Sequence, residues 1–266
     1  MSLQLPDNTN IRYLLSNSAE TATLTVTPSS VADQGIDNLF FVGSYKVLVV
    51  PATAFVLKAV WAADQSINTV VIDKHNLTST ATVVFELVAS GGAIIASKTF
   101  TTIQKCLSWC IDVNSPYTTV RKIKITITDD DNTDLYLKVN RFAAGIALVP
   151  VYNIQTGASL QYVDTGISER AKSGAFTVFP GNIYREIKVS MDFVSMTERN
   201  YWASFFRNMG IRASIYISVY PNSTDIGMEQ DHEGFFHLDG SIPVLTHQFI
   251  GEFSLSLDLS DSELLI

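Results

Sequence analysis

From Leu24 onward the chain reads as short runs rich in Val, Ile, Thr and Phe, separated by Gly, Asn, Asp, Ser and Pro. That spacing predicts an all-β chain built on a sandwich or barrel. Ala81–Ala89 and Ala93–Phe100 form a predicted hairpin across Ser90-Gly91-Gly92, whose glycines supply the positive φ of a tight turn. Val120–Thr128 and Leu135–Ala143 form a second predicted hairpin across Asp129–Asp134. Val70-Val71-Ile72 is apolar at every position, the mark of a strand buried on both faces. The pattern lapses near Pro150, where a domain boundary is expected between residues 1–149 and 150–266. Tyr152–Gly174 has the composition of a connecting arm or long loop. Strands are expected to resume at Ala175–Phe179, Arg185–Val194, Ile211–Val219, Ser241–His247 and Glu252–Leu259.

Only Met196–Met209 shows helical periodicity. Ser195 and Glu198 make an S-x-x-E capping box, Tyr201, Trp202, Phe205, Phe206 and Met209 fall on one face, and Gly210 follows as a stop. An apolar stripe at that spacing predicts a core-facing helix packed on the second domain, ahead of a ligand platform.

Composition changes the picture at the surface. Hydrophobic residues are 47% of the 266 and charged residues only 17%, against about a quarter in an average domain. So little charge suggests that neighbouring chains cover part of the surface. A net charge of −8 argues against nucleic acid as a partner. Lys122 and Lys124, which interleave with Ile123, Ile125 and Ile127, are expected on the solvated face of a strand. The N-terminus lacks the cationic and apolar regions of a signal peptide, and no stretch has the length of a membrane helix, so the expected setting is the cytosol without a membrane partner. Cys106 and Cys110, four apart on a strand, lie too far from one another for a disulfide and are expected as buried free thiols.

Catalytic signatures do not emerge. The chain has no G-x-S-x-G elbow and no glycine-rich phosphate cradle. His232, His237 and His247 with Asp231, Glu233 and Asp239 could supply a metal shell, but the i, i+5 spacing fits no standard motif, and a solvated acidic loop is the expectation. Asp129, Asp130, Asp131 and Asp134 could offer oxygen ligands to calcium, yet Asp and Asn are also what turns are made of, and a plain turn is expected. No catalytic, cofactor-binding or metal-binding residue is assigned, and no enzyme is expected.

The run FVLKAVWAADQSINTVVIDKHNL from Phe55 to Leu77, continued by TSTATVVFELVAS, resembles the galactose-binding-like, discoidin-type jelly roll of bacteriophage tail proteins. Its H-N-L element is His75-Asn76-Leu77; Val31–Leu39 resembles the upstream segment ending in N-L, and Val120–Gly145 the closing strands. Pro150, Asn153 and Gly157, then Gly174, Arg185 and the helix ending in Gly210, resemble the downstream half. The resemblance implies an N-terminal jelly-roll sandwich followed by a β-rich assembly domain. It implies a virion structural protein of a tail tip or baseplate, a distal-tail ring or fibre adaptor, made in the host bacterial cytoplasm. The implied partners are copies of itself and other tail proteins, with a host-surface glycan as a further one. The alternative expectation is a non-catalytic carbohydrate-binding module or receptor reader.

Overall fold

The computed structural model describes residues 9–40, 46–154, 158–170, 174, 176–210, 214–240, 242–249 and 251–261. The chain is mostly β. It divides into two compact units, Met1–Val149 with Tyr216–Gly234, and Pro150–Ile215 with Phe235–Ile266. An excursion of the chain, 216–234, thus belongs with the N-terminal unit.

The first unit contains β1 (Arg12–Leu14), β2 (Thr23–Thr27), β3 (Leu48–Val50), β4 (Ala54–Ile67), β5 (Thr69–His75), β6 (Thr82–Val88), β7 (Ile94–Phe100), β8 (Cys106–Cys110), β9 (Tyr117–Thr128) and β10 (Leu137–Gly145). One sheet has the order β2-β4-β9-β6-β7 and another β3-β10-β5-β8, with antiparallel neighbours throughout. They face each other as a β-sandwich of jelly-roll type. Every second residue of a strand points the same way, so Phe55, Leu57 and Ala59, then Val83, Phe85 and Leu87, then Ile123, Ile125 and Ile127 come from one sheet. Val70, Ile72, Leu107, Val139 and Ala144 meet them from the other. Val70, Val71 and Ile72 are all fully buried, as their unbroken apolar run predicts.

The β6–β7 hairpin forms as expected. Ala89 N donates to Ala93 O at 2.9 Å, Gly92 N donates to Ala89 O at 3.0 Å, and Gly92 has φ 85°. The second expected hairpin does not form. β9 pairs with β4 and β6, β10 pairs with β3 and β5, and Asp129–Asp134 carries the chain from one sheet to the other. Alternation tells which side of a strand is buried, and strands on facing sheets bury toward the same core. It therefore cannot distinguish a hairpin from a crossing.

The remaining strands are β11 (Ser159–Asp164), β12 (Ile167–Arg170), β13 (Phe176–Phe179), β14 (Ile183–Ser195), β15 (Ser214–Ser218), β16 (Glu233–Leu238), β17 (Leu245–Phe249) and β18 (Glu252–Asp261), with helices α1 (Met196–Met209) and α2 (Ile226–Asp231). The unit boundaries fall after Val149 and within β15 and β16. In the first unit β15 pairs with β1, Tyr216 opposite Leu14 and Ser218 opposite Arg12. In the second unit β18 is flanked by β14 and by both β16 and β17, and β11 lies on β14. The stretch expected to be a loop, Tyr152–Gly174, contains β11 and β12, because Ser159–Asp164 finds a ladder on β14 that its polar composition does not advertise. Gly157, Ala175, Ile211–Ala213 and Ser241, parts of expected elements, lie outside the described residues.

Helix α1 has the expected bounds and caps. Ser195 Oγ accepts from Glu198 N at 3.3 Å, and Glu198 Oε2 accepts from Ser195 N at 2.7 Å. Gly210 closes the helix with φ 58°, its N–H donating to Phe206 O. The helix packs on β14 and β18 through buried Trp202, Phe205 and Phe206, with Trp202 and Phe206 stacked at 5.6 Å between centroids. Two residues of the expected stripe differ. Tyr201 lies about 100° round the helix from Trp202, and Met209 ends the helix; both are exposed.

Candidate functional site

The H-N-L element and the aspartate run, placed far apart in sequence, meet. His75 Nδ1 accepts from Leu77 N at 3.3 Å. Asn76 Nδ2 donates to Asp134 Oδ2 and Tyr136 O, both at 2.9 Å, while Asn76 Oδ1 accepts from Lys138 N at 2.7 Å. Asp129, 1% exposed, accepts from Thr78 N at 2.8 Å, Thr78 Oγ1 at 2.5 Å and Asn132 Nδ2 at 3.2 Å. Asp131 accepts from Thr80 Oγ1 and Asp130 from Thr53 Oγ1. Asp129, Asp131 and Asp134 join loop 129–134 to loop 76–80 and Asp130 ties it to Thr53, which holds the sheet crossing in place. Asn38 of the upstream N-L element works the same way, donating to Asp33 O and Val47 O. Burial pushes the His75 imidazole down to about 4, more than the Gln104 carbonyl and the Asp129 charge raise it.

The histidine segment departs from the expected solvated loop. It is helix α2 followed by β16, because Asp225 caps the helix by accepting from Met228 N at 3.1 Å and the next residues are buried. His232 Nδ1 lies 2.9 Å from Met228 O, with its ring on Tyr220. His247 packs on Phe253, and His237 lies on β16 opposite Ser260. Among the described residues no group of His, Cys, Asp and Glu has metal-binding geometry.

Glu233, expected in a solvated acidic loop, is instead 2% exposed. The Tyr216 hydroxyl donates to its carboxyl, and Ser108 bonds it from β8. Burial pushes the Glu233 carboxyl up to about 7; the Ser108 and Tyr216 bonds oppose the rise, and the charges of Glu229 and Asp73 add to it. Cys110 Sγ stands 3.9 Å from both Tyr216 Oη and Ser108 Oγ. Burial raises the thiol despite the nearby Arg12 guanidinium. Cys106 and Cys110 are buried free thiols, as β8 requires. Beside this cluster opens a small polar cleft of about 70 Å³, lined by Lys98, Thr102, Gln104, Ser108, Glu229 and Glu233. Lys98 Nζ donates to Ser108 O at 2.8 Å and lies 4.7 Å from the Phe100 ring centroid.

The second unit offers a surface of the opposite character. Among the described residues, twelve of the nineteen exposed large hydrophobic side chains belong to it, although it is the smaller unit. The β12–β13 ribbon concentrates them: all eight of its residues are exposed. The register sets Ile167 opposite Phe179 and Ser168 opposite Val178. Successive residues alternate faces, so Phe179 and Ile167 lie on one face, Val178 and Phe176 on the other. The base of the ribbon is clamped. Thr165 N donates to Asn182 O at 3.0 Å, Asn182 N donates to Thr165 Oγ1 at 2.8 Å, and the backbone approaches so closely that a Cβ on Gly181 would stand 2.2 Å from the Thr165 carbonyl carbon.

Solved structures similar to this chain align over about half of it. One is a GH29 fucosidase from Ruminococcus gnavus in complex with fucose, with 14% identity, a TM-score of 0.40, and 50% of this chain against 27% of that one. A fucose-binding module from Streptococcus pneumoniae has 12% identity and a TM-score of 0.40, covering 49% of this chain and 95% of that one. A chitosan-binding module from a Paenibacillus chitosanase/glucanase has 14% identity and a TM-score of 0.39, covering 48% and 98%. No protein-family model and no curated protein matches. Identity and TM-score at this level leave the functional reading to the residues of this chain.

Proposed function

We propose that this chain acts by binding, without catalysis, as a subunit of a larger assembly in which the second unit holds it to its neighbours. The β12–β13 ribbon carries this reading. A two-stranded ribbon is marginal in water, and Ile167, Phe176, Val178 and Phe179 are 55–62% exposed. Together they present on the order of 400 Å² of apolar surface, divided between the two faces of the ribbon. With apolar groups on both faces and, among the described residues, no strand paired to either edge, the ribbon suits enclosure by a neighbouring chain better than contact along one side. The finer proposal is a virion structural protein of a phage tail tip or baseplate, a distal-tail ring or fibre adaptor made in the bacterial cytoplasm. It rests on the resemblance of the H-N-L element and the downstream half.

Light scattering coupled to size exclusion tests the assembly. The full chain is expected at a multiple of 29.3 kDa, and a Phe176→Asp, Phe179→Asp double variant with unchanged circular dichroism at the monomer mass. A wild-type chain that stays monomeric at high concentration overturns self-assembly.

The polar cleft of the sandwich favours a second reading, carbohydrate binding. Its ammonium, amide, hydroxyl and carboxyl groups beside Phe100 can exchange hydrogen bonds with sugar hydroxyls. Fucose and chitosan oligosaccharides, the ligands named for the similar modules, are the first probes. Calorimetric binding lost on Lys98→Ala or Gln104→Ala supports this reading, and no heat with a glycan panel removes it.

A further inference from the structure

The β12–β13 ribbon carries two charges, and its register sends them to opposite faces. Ile167, Glu169 and Phe179 stand on one face, Arg170, Phe176 and Val178 on the other, because Ile167 pairs with Phe179, Glu169 with Thr177 and Arg170 with Phe176. All are exposed, and among the described residues neither Glu169 nor Arg170 has an ion-pair partner. We propose that a second copy of this chain covers the ribbon, unlike face on unlike face: the Glu169 face of one copy lies on the Arg170 face of the next. This rests on assembly through the second unit and adds its order, which is head to tail.

Side chains stand off the faces of a ribbon, so a strand added along one edge would leave the apolar groups in water, whereas a partner laid on a face covers them. Each face carries a single charge, Glu169 on one and Arg170 on the other. Like face on like face therefore encloses two charges of one sign in an apolar contact, which is costly. Unlike face on unlike face brings carboxylate and guanidinium together. Both charges lie in the half of the ribbon away from the Thr165–Asn182 clamp. With the tips of two copies aligned, Glu169 of one meets Arg170 of the next, while Ile167 and Phe179 meet Val178. The apolar side chains supply the adhesion, and the charges choose the face.

Such a contact does not close on two copies. A two-fold pair uses the same face of both partners, whereas joining unlike faces leaves one face of each kind uncovered at the ends of an open stack, so further copies add until the stack closes on itself. The expected assembly therefore has three or more copies. One face holds about half of the ribbon's apolar surface, well short of the roughly 1,200 Å² of a standard interface. Tyr162 on β11 and Ile183 on β14, exposed on the strands that continue the ribbon, extend the contact toward its root.

Charge exchange in the full chain, read by light scattering, tests the order. Glu169→Lys makes both faces positive and Arg170→Glu makes both negative, and each is expected to raise the concentration needed for assembly roughly tenfold or more. Glu169→Lys and Arg170→Glu combined in one chain exchange the two signs, and the wild-type mass is expected to return. Both side chains are exposed, so unchanged circular dichroism serves as the control for folding. A wild-type mass of two copies, single variants that assemble like wild type, or a double variant that stays dissociated overturns the stacking and leaves assembly through the second unit standing. A wild-type chain that is monomeric at high concentration removes both.

Discussion

Two buried groups of the first unit titrate in opposition. His75, held near 4 by burial, stays neutral in the folded chain while an unfolded imidazole takes a proton below 6.5, so it subtracts stability as pH falls from 6.5 to 4. Glu233, held near 7, subtracts stability as pH rises from 4.5 to 7. Between pH 4.5 and 6.5 the two slopes cancel, each about 1.4 kcal/mol per pH unit. Relative to wild type, urea unfolding of Glu233→Gln is expected to gain stability with rising pH over that window, and His75→Gln to lose it; parallel curves would refute the pairing. Asp129 makes a third residue-scale case. Asp129→Ala removes the acceptor of the Thr78 amide and one partner each of the Thr78 hydroxyl and the Asn132 side-chain amide, at an expected cost of about 2–4 kcal/mol by urea melt. Asp129 reads as a turn residue from its neighbours in sequence, but its partner Thr78 lies 51 residues away and no local pattern names it.

Elements differ in how much of them is local. Helix α1 is written almost entirely in its own residues, with cap, box, stripe and stop. Ser195→Ala is expected to cost about 1 kcal/mol of thermal stability. Glu198→Ala is expected to cost more, because Glu198 Oε1 also accepts from Val151 N at 2.9 Å, a contact outside the helix. The β12–β13 ribbon is the reverse case: short, fully exposed and fixed at its base. Gly181→Ala would force a Cβ into the Thr165 backbone, which cannot yield as a flexible side chain would. Gly181→Ala is therefore expected to splay the ribbon and lower the mass seen by light scattering, with the circular dichroism of the rest retained. An unchanged mass would separate the ribbon from assembly.

At the scale of the molecule, low charge and concentrated apolar exposure act together. A chain with 17% charged residues and, among the described residues, most of the exposed large hydrophobic side chains in the smaller unit gains little from electrostatic steering and much from burial. Its association is thus expected to survive salt of about 0.5 M, which screens surface ion pairs. Dissociation by salt alone would mean that charged contacts hold the assembly, contrary to the apolar ribbon.

The local code determined what depends on neighbours in sequence: the β class, the two-glycine hairpin, the doubly buried strand Val70–Ile72, the buried thiols, and helix α1 with both caps. Tertiary structure alone decided which sheet each strand joins, so that β9 and β10 part where alternation suggested a hairpin. It placed Asp129 against Thr78 and paired a polar stretch, Ser159–Asp164, with β14. It also turned an acidic segment into a helix and a buried strand, with Glu233 drawn into a buried, hydrogen-bonded site. Periodicity records which face of an element is apolar, a property of the segment. Pairing, burial of a carboxyl and the company it keeps are properties of what the rest of the chain brings to it.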